Sequence, residues 1–340
     1  MCNTKTSDVA ATCAQMHQFA DAGCEIVRVS VPTQEAAEAF REICDRSPLP
    51  VVADIHFDYQ LALAAIHAGA AAVRINPGNI GSFDRVDAII DAAGACGAAL
   101  RIGVNAGSLD RTIDERDDLT LTDKLVASAL LFSDHLEDRG FTNYVMSAKV
   151  HSVADTIEVN RRLSEELPQV PLHIGVTEAG TTRQGTVKSA IALGTLLREG
   201  IGDTLRVSLT ADPVEEVRVG WEILSSLGIR RLHPELVSCP TCGRTQVDLI
   251  PIAQEVEQRL QHVHAPISVA VMGCVVNGPG EARSADIGVA CGRGSGMLFA
   301  KGEPIRKVTE EALVDELFAE IASRWLEEDR YVATGKDPHE

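Results

Sequence analysis

Seven short aliphatic runs punctuate the first two thirds of the chain, at residues 25–31, 50–56, 71–76, 99–105, 144–150, 172–178 and 204–210. Between them, apolar residues recur at helical spacing over 33–46, 58–68, 83–96, 123–139, 153–167 and 182–199, after an opening helix at 7–22. Strands alternating with helices predict a parallel sheet with helical crossovers. Seven such units, roughly 20–45 residues apart, predict a TIM-type (β/α)8 barrel with its first strand missing. A doubly wound open sheet is the rival arrangement. The opening helix places the missing strand before Met1.

Asp212 and Pro213 mark the start of a helix that runs to about Leu227 and stops at Gly228. The texture then changes. From "HPELVSCPTCGR" onward the sequence predicts a helix near 249–261, a strand near 267–272, a glycine-rich stretch near 273–296 and a closing helix near 309–328. The expected division is a barrel over 1–230 and a smaller α/β domain over 233–340. The charged run 110–124 reads as a solvated loop on the barrel rim.

Five of the strand runs carry a cation among their apolar residues: Arg28, Arg74, Arg101, Lys149 and Arg206. Strand side chains alternate faces. In "TLRVSLT", Leu205, Val207 and Leu209 share one face, and Arg206, Ser208 and Thr210 share the other. In "ALRIGVN", Arg101, Gly103 and Asn105 stand opposite Leu100, Ile102 and Val104. The same division groups Arg28 with Ser30, Asp54 with His56, Arg74 with Asn76, and Lys149 with His151. The apolar faces must meet the helices, so the polar faces point into the barrel.

Charge sharpens this picture. The 340-residue chain carries a net charge of −18, which excludes general nucleic-acid binding, yet its barrel strands hold five positive groups against Asp54 and Glu178. Two like charges about 8 Å apart at an effective dielectric near 20 repel by about 2 kcal/mol. An anion relieves that repulsion, and arginine's planar fork suits phosphate oxygens. The loops "NPGNIG" and "GVNAGS" add glycines through which backbone N–H groups approach an anion. A small, multiply charged phosphoester at the carboxyl ends of the strands is therefore expected. His56, His151 and His173, taken singly, read as hydrogen-bonded lining.

No run of 18 apolar residues suggests a membrane span, and the first residues lack a signal-peptide layout, so a cytoplasmic location is expected. Nine cysteines in such a chain favour free thiols or metal ligation over disulfides. Cys239 and Cys242 form a C-x2-C pair and Cys274 is a third candidate ligand. The spacing alone fits a zinc knuckle, a redox pair or an iron–sulfur ligand pair. Cys291 lies in what reads as a loop, "ACGRGSG". Cys2, Cys13, Cys24, Cys44 and Cys96 read as small structural residues.

Seven segments, in order, resemble the bacterial 4-hydroxy-3-methylbut-2-enyl diphosphate synthases: "ADIHFDYQLAL", "RINPGNIG", "RIGVNAGSL", "GVTEAGTTRQGTVKSAIALG", "EGIGDTLRVSLTADPVEEV", "CPTCGRTQVDL" and "GCVVNGPGEA". The resemblance implies a barrel followed by a small α/β domain holding a [4Fe–4S] cluster. Its ligands would be Cys239, Cys242, Cys274 and Glu281, the carboxylate being the harder and more labile of them. It implies reductive ring opening and dehydration of 2-C-methyl-D-erythritol 2,4-cyclodiphosphate, with two electrons delivered singly by flavodoxin or ferredoxin. By the same resemblance Arg28, Arg74, Arg101, Lys149 and Arg206, with Asn105 and Ser208, lie near the diphosphate. Asp54, His56 and Glu178 belong to the same mouth, with Glu178 as the proton-handling candidate.

The resemblance further implies a head-to-tail homodimer in which each cluster caps the partner's barrel. The path of the chain agrees, because the helix from Pro213, about 22 Å long, should carry it to the end of the barrel opposite the cations. One departure stands out: the family's first strand precedes a segment like "MCNTKTSDV", which here opens the chain. Three readings follow. They are an iron–sulfur reductase, a truncated non-catalytic relative that binds the diphosphate, and a zinc-stabilised phosphoester-binding barrel without redox chemistry.

Overall fold

The computed structural model describes residues 1–109, 111–274 and 284–326. The chain divides into two compact units, Met1–Ile223 and Leu224–Glu340.

The first unit is built from seven parallel strands: β1 (Val27–Ser30), β2 (Val51–Asp54), β3 (Ala72–Ile75), β4 (Ala99–Asn105), β5 (Tyr144–Lys149), β6 (His173–Ile174) and β7 (Thr204–Leu205). β1 to β5 pair in chain order, β6 pairs with β7, and a parallel bridge from Met146 to Leu172 joins the two ladders. Local chemistry sets the intervening helices. Thr33, Asp58 and Ser152 accept N-terminal amide hydrogens as caps, Thr120 and Asp123 form a reciprocal capping box, and Gly97 ends its helix at φ 72°.

Side chains from β1, β5 and the end of β7 line one cavity. In a flat sheet β1 and β7 would stand about 29 Å apart, at about 4.8 Å per strand. The sheet is therefore curled, as in a TIM-type barrel, and is not the open doubly wound arrangement. The outer edge of β1 is bonded by the first residues, with Cys2 N–H donating to Arg28 O at 3.0 Å and Thr6 Oγ1 to Ser30 O at 2.5 Å. Among the described residues no ladder joins β7 to β1.

β6 and β7 are shorter than the sequence predicts. Ladder pairing stops where Gly175 O accepts from the Arg206 guanidinium at 2.9 Å. That carbonyl bonds to a side chain where a strand would offer it an amide.

The second unit is a five-stranded mixed sheet: β8 (Glu235–Ser238), β9 (Ser268–Met272), β10 (Ile287–Gly292), β11 (Ser295–Ala300) and β12 (Glu303–Thr309). β8, β9 and β10 are parallel, while β11 and β12 run antiparallel to their neighbours. Helices Leu249–Leu260 and Leu313–Ile321 pack Val256, Leu260, Leu313 and Leu317 on Val269, Val271, Ile287 and Val289.

The sequence reading missed β8, β10, β11 and β12, and it missed β10 and β11 because of their glycines. Gly288 and Gly296 are packing residues inside strands: a methyl group at Gly288 would lie 2.4 Å from Ala270 O, and one at Gly296 would lie 2.8 Å from Leu313 Cδ1. Cys291 is accordingly not in a loop. It is fully buried in β10, where burial pushes its thiol up to about 12. The run 110–124, expected as a loop, holds the short helix Arg111–Asp114. No helix among the described residues is long and apolar enough to cross a membrane.

Candidate active site

Register brings four sequence-distant residues into one row. Ser30 pairs with Asp54, Asp54 with Arg74, and Arg74 with Arg101. Period-two alternation turns all of them into the barrel. Asp54, 2% exposed, is the anion of this row. Its Oδ1 lies 3.3 Å from Arg74 Nη1, its Oδ2 lies 3.7 Å from Arg28 Nε, and the exposed His56 reaches Oδ2 at 4.0 Å. Burial alone would raise this carboxyl; Arg28 and Arg74 outweigh it and hold the group below the usual carboxylate range.

Arg74 also reaches Gly103 O at 3.5 Å. The missing side chain at Gly103 makes that possible, since a methyl group there would lie 2.7 Å from Arg74 Nε. The loop after β3 is pinned to the loop after β4, with Asn76 Nδ2 donating to Ser108 Oγ at 2.5 Å. Gly78 lies against that loop; a methyl group on it would stand 2.7 Å from Ser108 O.

Among the described residues the other cations have no carboxylate partner. Arg101 Nη1 donates to His173 Nε2 at 3.2 Å, and His173 Nδ1 is 2.8 Å from Thr204 Oγ1. Arg206 donates to Ser147 Oγ and to the carbonyls of His173, Ala148 and Gly175 at 2.9–3.2 Å. It therefore braces β5, β6 and β7, and a methyl group at Gly175 would lie 2.4 Å from its Cγ. Lys149, at the end of β5 opposite Asn105, has no carboxylate partner among the described residues.

Burial, followed by Arg28, pushes Arg101 and Arg206 down to about 9. Burial, followed by Arg74 and Arg28, pushes Lys149 down to about 7. His173 is held well below its ordinary value by burial and by Arg101 and Arg206, so its imidazole is neutral.

A cavity of about 330 Å³ opens above this layer, lined by Arg28, Lys149, Glu178, Arg206, Ser208 and Glu216, among others. Glu178 is exposed there with φ 55°, a left-handed conformation uncommon outside glycine and asparagine. Glu216 is the residue that sequence reasoning missed. It sits in the first turn of the helix Pro213–Ser226, Leu209 N–H donates to its Oε1 at 3.0 Å, and burial raises its carboxyl. Helical spacing marks that position as ordinary; only the curl of the barrel brings it beside Arg28 and Lys149. His151 is exposed, and no ion pair or hydrogen bond of its side chain is seen among the described residues.

In the second unit, β8 and β9 are parallel neighbours with Ser238 opposite Val271, so Cys239 and Cys274 leave the sheet at the same end. Gly273 N–H donates to Cys239 Sγ at 3.2 Å, and Gln246 N–H to Gly273 O at 3.1 Å, tying the C-x2-C loop to the segment before Cys274. Cys242 is exposed, and hydrogen bonds from Arg244 lower its thiol below the ordinary value. Among the described residues, no three His, Cys, Asp or Glu side chains converge tightly enough to hold a metal ion. Glu281 lies outside the described residues. The donor set itself, two thiols at adjacent strand ends with an N–H···S bond between their segments and a third on the tied loop, has the softness that iron–sulfur ligation requires.

Residues 1–221 match the GcpE TIM-barrel domain and residues 235–323 match the GcpE protein C-terminal domain. A protein of Maridesulfovibrio salexigens named 4-hydroxy-3-methylbut-2-en-1-yl diphosphate synthase (flavodoxin) is 55% identical over 322 residues, covering 94% of this chain and 90% of that one. A protein of the same name from Clostridium acetobutylicum is 55% identical over 94% of this chain and 92% of its own length. One from Geobacter sulfurreducens is 52% identical over 94% and 91%. With a match in each of its two units and more than half its residues identical to such relatives along almost its full length, the chain belongs to the GcpE family.

Proposed function

We propose that this chain reductively opens and dehydrates 2-C-methyl-D-erythritol 2,4-cyclodiphosphate to (E)-4-hydroxy-3-methylbut-2-enyl diphosphate, with flavodoxin as the electron donor. The change takes in two electrons and two protons. It breaks one carbon–oxygen bond to phosphate and one carbon–hydroxyl bond, forms a carbon–carbon double bond and releases one water. The observation that carries this reading is the cavity end of the barrel. Among the described residues Arg101, Lys149 and Arg206 have no carboxylate partner there, inside a chain of net charge −18.

Arg28, Lys149 and Ser208 line the cavity and bind the diphosphate oxygens, with Asn105 opposite Lys149 and Arg101 opposite Arg74 in the strand register supporting them. Asp54 keeps Arg28 and Arg74 apart and oriented. His56 stands at the mouth. Arg206, fixed by carbonyls, adds its charge to the field more than it offers donors. Glu178, exposed in the cavity on a constrained backbone, delivers the proton that leaves with the hydroxyl. Cys239, Cys242, Cys274 and Glu281 would hold a [4Fe–4S] cluster, which supplies one-electron transfer and a Lewis-acidic iron.

The working form is a head-to-tail homodimer, located in the cytoplasm. The chain's path supports the dimer: the helix Pro213–Ser226 has Glu216 at the cavity, while Trp221 Nε1 donates to Gly23 O, just before β1 begins. The helix thus leads the chain away from the cations.

Anaerobic reconstitution with iron and sulfide, followed by turnover with reduced flavodoxin, tests the proposal. A broad visible absorption band and the linear diphosphate are expected. Cys239→Ser, Cys242→Ser and Cys274→Ser should abolish both while pyrophosphate binding survives. A colourless zinc protein, or tight substrate binding without turnover in the reconstituted protein, would overturn it.

A further inference from the structure

Two arginines of one barrel layer, adjacent in register, are held in opposite ways. Arg74 is bonded to a carboxylate, Asp54, which offsets part of its charge. Arg101 is bonded to an imidazole, His173. A guanidinium has only donors, so His173 Nε2 must be the acceptor and carry no hydrogen. The proton therefore sits on Nδ1 and is donated to Thr204 Oγ1, 2.8 Å away. Thr204 is opposite His173 in the β6–β7 ladder, so the backbone register of two strands fixes the tautomer. His173 also holds Arg206, through its carbonyl at 3.0 Å.

A neutral acceptor differs from a carboxylate in one respect that matters here. It fixes the direction of the guanidinium without neutralising it. We propose that His173 is a positioning residue, which aims Arg101 toward the diphosphate while leaving its full charge for that anion, with Thr204 locking the tautomer that makes this possible. The inference rests on the cationic end of the barrel being the diphosphate site.

The probe is inorganic pyrophosphate, titrated calorimetrically into the full-length protein, alongside steady-state turnover of the reconstituted enzyme. Arg101→Met is the control for the underlying reading: unchanged pyrophosphate affinity in that variant would remove Arg101 from the site and overturn the reading itself. Given a weakened Arg101→Met, His173→Phe keeps the ring volume but offers no acceptor and should weaken pyrophosphate binding about ten-fold or more. KM should rise by a similar factor while kcat changes little, as for an interaction made equally in ground and transition states. His173→Gln, whose amide oxygen accepts from Arg101, should recover most of the affinity.

A His173→Phe protein that binds pyrophosphate like the parent overturns the inference and leaves the diphosphate site intact. If His173→Phe does not fold, nitrogen-15 NMR of the imidazole in the parent protein decides. An Nδ1–H tautomer supports the proposal, and an Nε2–H tautomer overturns it.

Discussion

Lys149 is the cavity's most easily discharged cation. Burial and the facing Arg74 and Arg28 push its ammonium down to about 7, against weaker attraction from Asp54. A bound diphosphate reverses the balance, because an anion favours the charged form. At pH 8 the site without an anion holds Lys149 largely neutral, so the lysine takes up close to one proton on binding. At pH 6 the ammonium is already mostly protonated and the lysine takes up little. Arg101 and Arg206, at about 9, are mostly charged at either pH, and Asp54, held low, stays ionised. Titrating pyrophosphate in buffers of different ionisation enthalpy measures the uptake. Pyrophosphate titrates as well, so the lysine's share is the difference between the parent and Lys149→Met; equal uptake by the two at pH 8 would remove Lys149 from the site. The cationic positions were legible in the sequence, since arginine or lysine inside an aliphatic strand stands out. Their pairing was not: nothing in "EIVRVSV" or "AAVRIN" says that one aspartate serves both arginines.

At the level of strands, two glycines do the work of making room. Gly103 and Gly175 lie inside runs whose alternation predicts inward-facing side chains, and each leaves space that an arginine from a neighbouring strand fills. Gly103→Ala puts a methyl group 2.7 Å from Arg74 Nε, and Gly175→Ala one 2.4 Å from both Arg206 Cγ and its carbonyl oxygen. Arg206 is held by carbonyls of β5 and of the β6 segment and cannot withdraw, so Gly175→Ala should be the worse. Each should cost about 1–3 kcal/mol of stability, read as a lowered midpoint in urea unfolding. An unchanged midpoint for Gly175→Ala would mean that the bracing of β5, β6 and β7 is dispensable. Helices were read closely from sequence because caps and apolar spacing are local. The ends of β6 and β7, and the strands built around Gly288 and Gly296, were not, because they depend on what packs opposite.

For the whole molecule, the proposed dimer has a direct consequence. A Lys149→Ala protein lacks a working cavity and a Cys239→Ser protein lacks a working cluster. If each site draws on two copies, unfolding and refolding the two together before reconstitution yields heterodimers with one intact pairing. Random mixing should restore about a quarter of the parent's activity per total protein. No recovery in a mixture shown to contain heterodimers would place cavity and cluster in the same copy. By itself the sequence determined the succession of the barrel strands, the face each cation occupies, the C-x2-C pair and the family, because these are written in short-range spacing and in motifs of a few residues. Only the tertiary structure decided that Asp54 is shared by Arg28 and Arg74, that Arg206 is a brace, that His173 holds Arg101, and that Glu216 belongs to the cavity. Those meetings depend on strand register and barrel curvature. Both arise from the summed packing of residues far apart in the chain, which no local pattern records.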